Sequence, residues 1–272
     1  MKKLSAIILL AGISPVALAD GSPWLPSDGS TRLALDITRG STDRFFIGDE
    51  STPLGNDLDG TFLWLSASYG YDDIWAFDLR TGYASSQFAN DPEQEDISDT
   101  SIGVSYQFIN EFEADNGFPT ISARIGYTVG GDYEETLLES IGDGASGLDA
   151  SLLVGKSLTP AFAVFGDLTY RQRDEGVADG IKYLLSVFYT SPIAGLGFQV
   201  AAAGIRTDSD INIDPDIGDR FAQTDRDSDL LIFGANYGFA NGIGLGFSYS
   251  SLLSGTNIAD TDIATFSLSY SY

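Results

Sequence analysis

The last eleven residues, Asp262-Ile263-Ala264-Thr265-Phe266-Ser267-Leu268-Ser269-Tyr270-Ser271-Tyr272, put Phe266, Leu268, Tyr270 and Tyr272 on one face and Ser267, Ser269 and Ser271 on the other. Strict alternation over this length is the period of a strand with two unlike faces, because successive side chains leave an extended backbone on opposite sides. The same period recurs upstream. It predicts twelve strands, over Thr31–Arg39, Thr61–Tyr71, Ile74–Ser86, Ser101–Phe108, Thr120–Val129, Leu148–Leu158, Ala161–Arg171, Ile181–Thr190, Leu196–Arg206, Asp229–Phe239, Ile243–Ser251 and Asp262–Tyr272. Most have the nine to eleven residues that a tilted strand needs to cross a bilayer.

The connections alternate too. Asp72-Asp73, Thr159-Pro160, 191–195 and 240–242 are tight, with 110–118 somewhat longer, while 40–60, 87–100, 130–147, 172–180, 207–228 and 252–261 are long and acidic. An even strand count with short turns on one side and long loops on the other predicts an all-β, transmembrane antiparallel β-barrel with short periplasmic turns and acidic extracellular loops. A soluble sandwich or lipocalin-like barrel also alternates, but three features oppose it. Aromatics gather near both strand ends on the apolar face: Tyr69, Tyr71, Trp75, Phe108, Phe162, Tyr189, Tyr237 and Phe239 at the short-turn end, and Tyr83, Tyr127, Tyr170 and Tyr249 at the loop end. Those are two interfacial girdles. The opposite face is too rich in Gly, Ser and charge to be a soluble core. Finally, the alternation of Phe266, Leu268, Tyr270 and Tyr272 resembles the terminal-strand signal read by the barrel assembly machinery, with Tyr in place of the commoner final Phe.

At the other end, Met1-Lys2-Lys3 is a basic head, residues 4–18 are mainly apolar, and Ala17-Leu18-Ala19 fits a small-x-small cleavage site. Residues 1–19 read as a signal peptide and 20–272 as the barrel. Gly12, Ser14 and Pro15 interrupt the apolar run well short of the length a membrane helix needs.

Composition excludes much chemistry. There is no Cys and no His, hence no disulfide, no thiolate or imidazole metal site and no His-based catalytic pair. Outer-membrane phospholipases, acyl-modifying barrels and omptin-type proteases rely on histidine, and no Ser-x-x-Lys occurs either, so an enzyme is not expected. Lys+Arg 14 against Asp+Glu 39 gives a net charge of -25, which repels phosphate backbones and argues against nucleic acid as a partner. The expected surroundings are outer-membrane lipids and lipopolysaccharide, with no cofactor. Loop carboxylates, among them Asp208, Asp210, Asp214, Asp216, Asp219, Asp225 and Asp227, and Asp91, Glu93, Glu95, Asp96 and Asp99, are dense enough for weak divalent-cation binding or bridging to lipopolysaccharide phosphates. None has EF-hand spacing.

If the aromatic-rich face meets lipid, the other face lines the lumen with Arg32, Asp36, Asp78, Arg80, Arg124, Asp149, Asp167, Arg171 and Lys182. Buried charge is costly unless paired, so Asp36, Asp78, Asp149 and Asp167 are expected to meet Arg80, Arg124, Arg171 and Lys182 in a ladder that braces the barrel or screens solutes. Phe62, Trp64, Leu153, Leu184, Phe188, Ile205 and Ile232 share that face, which makes the wall amphiphilic. Twelve strands imply a narrow or partly closed passage, between the filled interior of eight strands and the aqueous channel of sixteen. This facing predicts that Arg is costly at Leu185 or Ile125 and milder at Ser186 or Ser122.

Local patterns resemble an outer-membrane barrel family named for the meta pathway of phenol degradation. They are Trp24-Leu25-Pro26, Asp43-Arg44-Phe45-Phe46-Ile47-Gly48-Asp49, Gly142-Asp143-Gly144-Ala145-Ser146-Gly147 and Tyr170-Arg171-Gln172-Arg173-Asp174. The resemblance implies passive uptake of small, aromatic or amphipathic solutes. The rival is a closed structural or adhesive barrel acting through its acidic loops, and conductance separates the two.

Overall fold

A computed structural model of the protein describes residues 21–89, 91–114, 117–133, 140–211, 213 and 223–272. The signal-peptide reading of residues 1–19 lies outside the described residues. Twelve strands run in chain order: β1 (Thr31–Ile47), β2 (Glu50–Asp72), β3 (Trp75–Phe88), β4 (Gln94–Ile109), β5 (Thr120–Val129), β6 (Gly147–Ser157), β7 (Phe162–Arg173), β8 (Asp179–Thr190), β9 (Leu196–Asp208), β10 (Asp227–Gly238), β11 (Ile243–Thr256) and β12 (Asp262–Ser271). Each pairs antiparallel with its sequence neighbours, and β1 pairs with β12 from Arg32↔Ser271 to Ser41↔Asp262, which closes the barrel. Closure removes the sheet edges, so the backbone is satisfied within the wall and can sit in hydrocarbon.

The two faces separate as the alternation requires. Leu35, Leu65, Leu79, Ile125, Leu152, Leu168, Leu185, Val200, Phe233 and Phe266 point outward and are exposed, whereas Leu153, Phe165, Leu184, Phe188 and Ile232 point inward and are buried. An exposed apolar belt all round a closed barrel is a lipid-facing surface. Aromatics rim it at both ends. At the outer rim the hydroxyl of Tyr170 donates to Asp179 at 2.9 Å and that of Tyr183 donates to Asp229, each ring in the apolar belt and each hydroxyl turned toward water.

The short turns are fixed by side chains that replace missing backbone partners. Asp72 Oδ1 accepts from the N–H groups of Ile74 and Trp75 at 3.0 and 2.8 Å, and Thr159 Oγ1 accepts from those of Ala161 and Phe162 at 3.2 and 3.0 Å.

Two expectations change. The segment 40–60 is not an irregular loop: β1 and β2 stay paired to Ile47↔Glu50, with a bulge between Thr42 and Arg44. Above the bilayer both faces meet water or other loops, so pairing continues without the alternation that reveals it. The serines at 122 and 186, polar and inward, are not in open lumen either. Both are fully buried, Ser122 Oγ donating to the Pro23 carbonyl at 2.8 Å and Ser186 Oγ accepting from Gln199 Nε2 at 2.9 Å.

Candidate functional site: the lumen and its two mouths

The lumen is unevenly filled. Along β5 to β9 the inward side chains are buried one after another, and Leu153, Ala163, Phe165, Leu184, Phe188, Ala201, Ala203 and Ile232 form one apolar cluster against which Trp24 and Leu230 pack. Along β11, β12, β1, β2 and β3 many inward residues are small or polar and remain half-exposed, including Gly246, Ser248, Ser267, Ala34, Asp36, Ser66 and Arg80. Half-exposed side chains that do not face the outside face a space inside. The less filled part of the interior therefore lies along that half of the wall, with the apolar cluster opposite.

The predicted charges divide into three groups. Arg124 Nε and Nη2 donate to Asp78 Oδ1 and Oδ2 at 2.9 and 2.6 Å, a bidentate pair in which Arg124 is 3% and Asp78 28% exposed. The guanidinium lies flat against β4 and β5, and only glycine fits beneath it. A Cβ on Gly103 or Gly126 would come within 2.4 Å of its nitrogens. Toward the extracellular side, Asp149 meets Arg171 Nε at 3.7 Å and Arg173 Nη2 at 3.0 Å, and accepts from Thr128 Oγ1 at 3.0 Å. The Arg80 guanidinium lies 4.2 Å over the ring of Trp64, which stacks on Phe62 at 5.8 Å, a contact that charge pairing alone does not predict. Asp167 accepts the Thr169 hydroxyl at 2.8 Å. Arg32, Asp36 and Lys182 lie on the inward face, Asp36 level with Trp64 across β1 and β2. Of the expected ladder, Asp78 with Arg124 and Asp149 with Arg171 are brought together.

Sequence reasoning missed what the described residues place at the two ends. At the periplasmic mouth residues 21–30 turn up into the barrel instead of leading past it. Pro23 is fully buried, and its carbonyl accepts from Gln107 Nε2 at 2.7 Å as well as from Ser122. Trp24 Nε1 donates to Glu111 Oε1 at 3.1 Å, and the ring sits 6.5 Å from that of Phe165. Glu111, 3% exposed, also accepts from the Ser157 N–H at 3.0 Å and pairs with Lys156 at 3.3 Å. Gly155 makes the bed, for a Cβ there would meet Trp24 Cζ2 at 2.6 Å and Pro23 Cγ at 2.7 Å. At the extracellular mouth Ile141, Asp143, Ala145, Val177, Thr224 and Asn257 are buried, and Asp143 Oδ2 lies 3.3 Å from Arg171 and 4.0 Å from Arg226. Burial pulls the Arg226 guanidinium below its ordinary value.

Among the described residues no three metal-ligating side chains gather closely enough to hold an ion. Asp214, Asp216 and Asp219 of the cation reading lie outside the described residues.

No family model matches the chain, and no curated protein matches its sequence, so the resemblance to the meta-pathway family gains no support there. Solved structures do match. An outer-membrane channel from Pseudomonas putida F1 is similar at a TM-score of 0.72 and 14% identity, over 96% of this chain and 100% of that one. The translocator domain of the autotransporter NalP from Neisseria meningitidis is similar at 0.55 and 13%, over 99% and 97%. The KdgM porin is similar at 0.52 and 10%, over 88% and 99%. At such identities the likeness is one of fold. Closed wall, lipid-facing belt and these likenesses together make the chain an outer-membrane β-barrel.

Proposed function

We propose that this barrel is a narrow outer-membrane channel for passive uptake of small, amphipathic solutes. The observation that carries the reading is the uneven lumen: an apolar cluster on one wall and a half-exposed polar wall opposite, with Phe62 and Trp64 within it. A solute with an apolar body and a polar edge matches both walls at once, whereas a bare ion gains nothing from the apolar one. Charge adds a preference. On the membrane-crossing wall Arg32, Arg80, Arg124, Arg171, Arg173 and Lys182 stand against Asp36, Asp78, Asp149 and Asp167, an excess of cations inside a protein whose net charge is -25. Fixed charge in a constriction governs which solutes enter.

The test is ion selectivity and solute uptake in planar bilayers and liposomes. Replacing Arg80 by Ala, and Arg80 with Arg124 together, is expected to shift selectivity toward cations, the double variant more, because Asp78 then loses the partner that neutralises it. An open pore of unchanged selectivity would place these charges outside the permeation path.

The capped mouths favour a second reading, a closed barrel that acts through its acidic loops. Absence of current and of solute uptake from both wild type and the variants would establish that alternative.

A further inference from the structure

The extracellular cap contains an arrangement that neither a channel nor a brace requires. Asp99 stands on β4 one residue beyond the part paired with β5, which ends at Thr100↔Val129, and beyond the stretch Ser101–Phe108 whose alternation is expected to cross the bilayer. Its Oδ1 accepts from the Tyr133 hydroxyl at 2.6 Å and from the Gly131 N–H at 3.0 Å, and the Tyr133 oxygen accepts from the Gly144 N–H at 2.8 Å. These bonds tie both described ends of the β5–β6 connection to the barrel rim. Asp143 faces Asp99 within hydrogen-bonding reach. It is 8% exposed; Oδ2 meets Arg171 and Arg226, while Oδ1 is buried with no hydrogen-bond partner.

A buried acceptor without a donor, beside a second carboxylate, is satisfied by one proton shared between them. We propose that the Asp99–Asp143 pair is a pH-operated latch: with one proton it holds Tyr133 and the turn at Asp143 against the barrel rim, and with both carboxylates ionised it releases them. The neighbours decide where the proton sits. Arg171 and Arg226 face Asp143 and no cation faces Asp99 in the described contacts, with Arg173 and Asp149 paired to each other in the layer beneath. Asp99 faces Tyr133, which burial and the Asp99 charge keep protonated, and Asp143 itself. The proton therefore belongs to Asp99, whose hydroxyl donates to Asp143 Oδ1. Burial, then the Asp143 charge, pushes the Asp99 carboxyl above the usual carboxylate range. A carboxyl raised in the docked state adds stability to docking that is complete below the undocked value of about 4 and is lost as pH rises through the docked value. Acid closes the latch and neutral pH loosens it.

The protein has no cysteine, so a nitroxide on Asp132→Cys, an exposed position beside Tyr133, reports the connection in the full barrel. The spectrum is expected to be immobile at pH 4 and mobile at pH 8, with a midpoint above about 4. In Asp99→Asn the amide donates to Asp143 at every pH, and the probe stays immobile throughout. Tyr133→Phe removes the donor that supports ionised Asp99 and moves the midpoint to higher pH, a shift that loss of a merely structural contact does not produce. Heat-modifiable gel mobility verifies that each variant has formed its barrel, and the tyrosine variant decides the matter if the asparagine variant does not fold. A pH-independent wild-type spectrum, or a transition that survives in folded Asp99→Asn, would overturn the latch. The probe reads the connection and not the current, so a silent barrel that shows the transition defeats the channel reading and keeps the latch.

Discussion

Arginine in place of Ile125 or Leu185 is expected to destabilise the barrel by about 2–4 kcal/mol, the depth-dependent cost of a guanidinium at the bilayer midplane. Both residues sit near the middle of their strands on the outward face, 62% and 61% exposed. In water such exposure would make them indifferent sites; in hydrocarbon it makes them the most sensitive on the surface. Denaturant unfolding from lipid vesicles measures the difference. The informative controls are Ser248→Arg and Ser267→Arg, which face the half-open side of the lumen and have room for the new side chain. Ser122 and Ser186 no longer serve as mild sites. An arginine there must displace Pro23 or Gln199 from a filled interior, and overpacking of that kind costs about 1–3 kcal/mol. Equal penalties at Leu185 and Ser267 would refute the facing.

The strands were legible because a bilayer imposes on them the pattern that alternation detects. Tyr127 and Ile125 outward, Arg124 and Gly126 inward, leave no choice of register for β5, and its bounds Thr120–Val129 coincide with the expected ones. Where the bilayer ends, so does the signal. β1 beyond Arg39 and β2 before Thr61 are bonded strands, yet Thr42 is buried while Asp43 and Arg44 are exposed, and no period of two survives.

The lumen charges were legible for the same reason, since Asp78 and Arg124 are conspicuous among the small and polar inward neighbours Ala76, Gly82, Ser122 and Gly126 on their own strands. What could not be read was partnership. Asp149 takes Arg173 as well as Arg171, but Arg173 falls in what alternation marks as a connection. Arg80 lies over an indole to which charge arithmetic does not point. Asp143 belongs to a Gly-rich turn whose sequence says only that the chain bends, and its pairing with Asp99 joins segments forty-four residues apart. The apolar cluster had a partial signal in Leu153, Leu184, Phe188 and Ile232; that these fill one side of the lumen follows from barrel curvature, which a linear pattern does not carry.

The N-terminal segment carries the other large expected effect. Trp24 and Pro23 look, in sequence, like a polar-apolar lead into the first strand; in three dimensions they occupy the periplasmic mouth. Side-chain contacts with the wall hold them. The Trp24 indole reaches the Glu111 carboxylate, and the Pro23 carbonyl takes two donors from the wall. A hydrogen bond to a charged group is worth about 1.5–3 kcal/mol, so loss of the indole bond is enough to raise the displaced population about tenfold or more. Trp24→Ala removes the indole and its packing on Phe165, and Gly155→Val reaches the same end from the other side by placing a side chain where Trp24 and Pro23 lie. Both variants should keep the closed wall, because Trp24 lies outside the strands and Gly155→Val adds only a side chain on the inward face, leaving the backbone pairing with Thr120 and Phe165 in place, and both should show a severalfold rise in single-channel conductance with more frequent openings. Glu111→Gln is expected to fall between wild type and Trp24→Ala, since an amide still accepts from the indole but no longer holds Lys156. Conductance unchanged in all three, with barrels intact by heat-modifiable mobility, would mean that the segment does not obstruct the path and that the resistance lies at the extracellular cap.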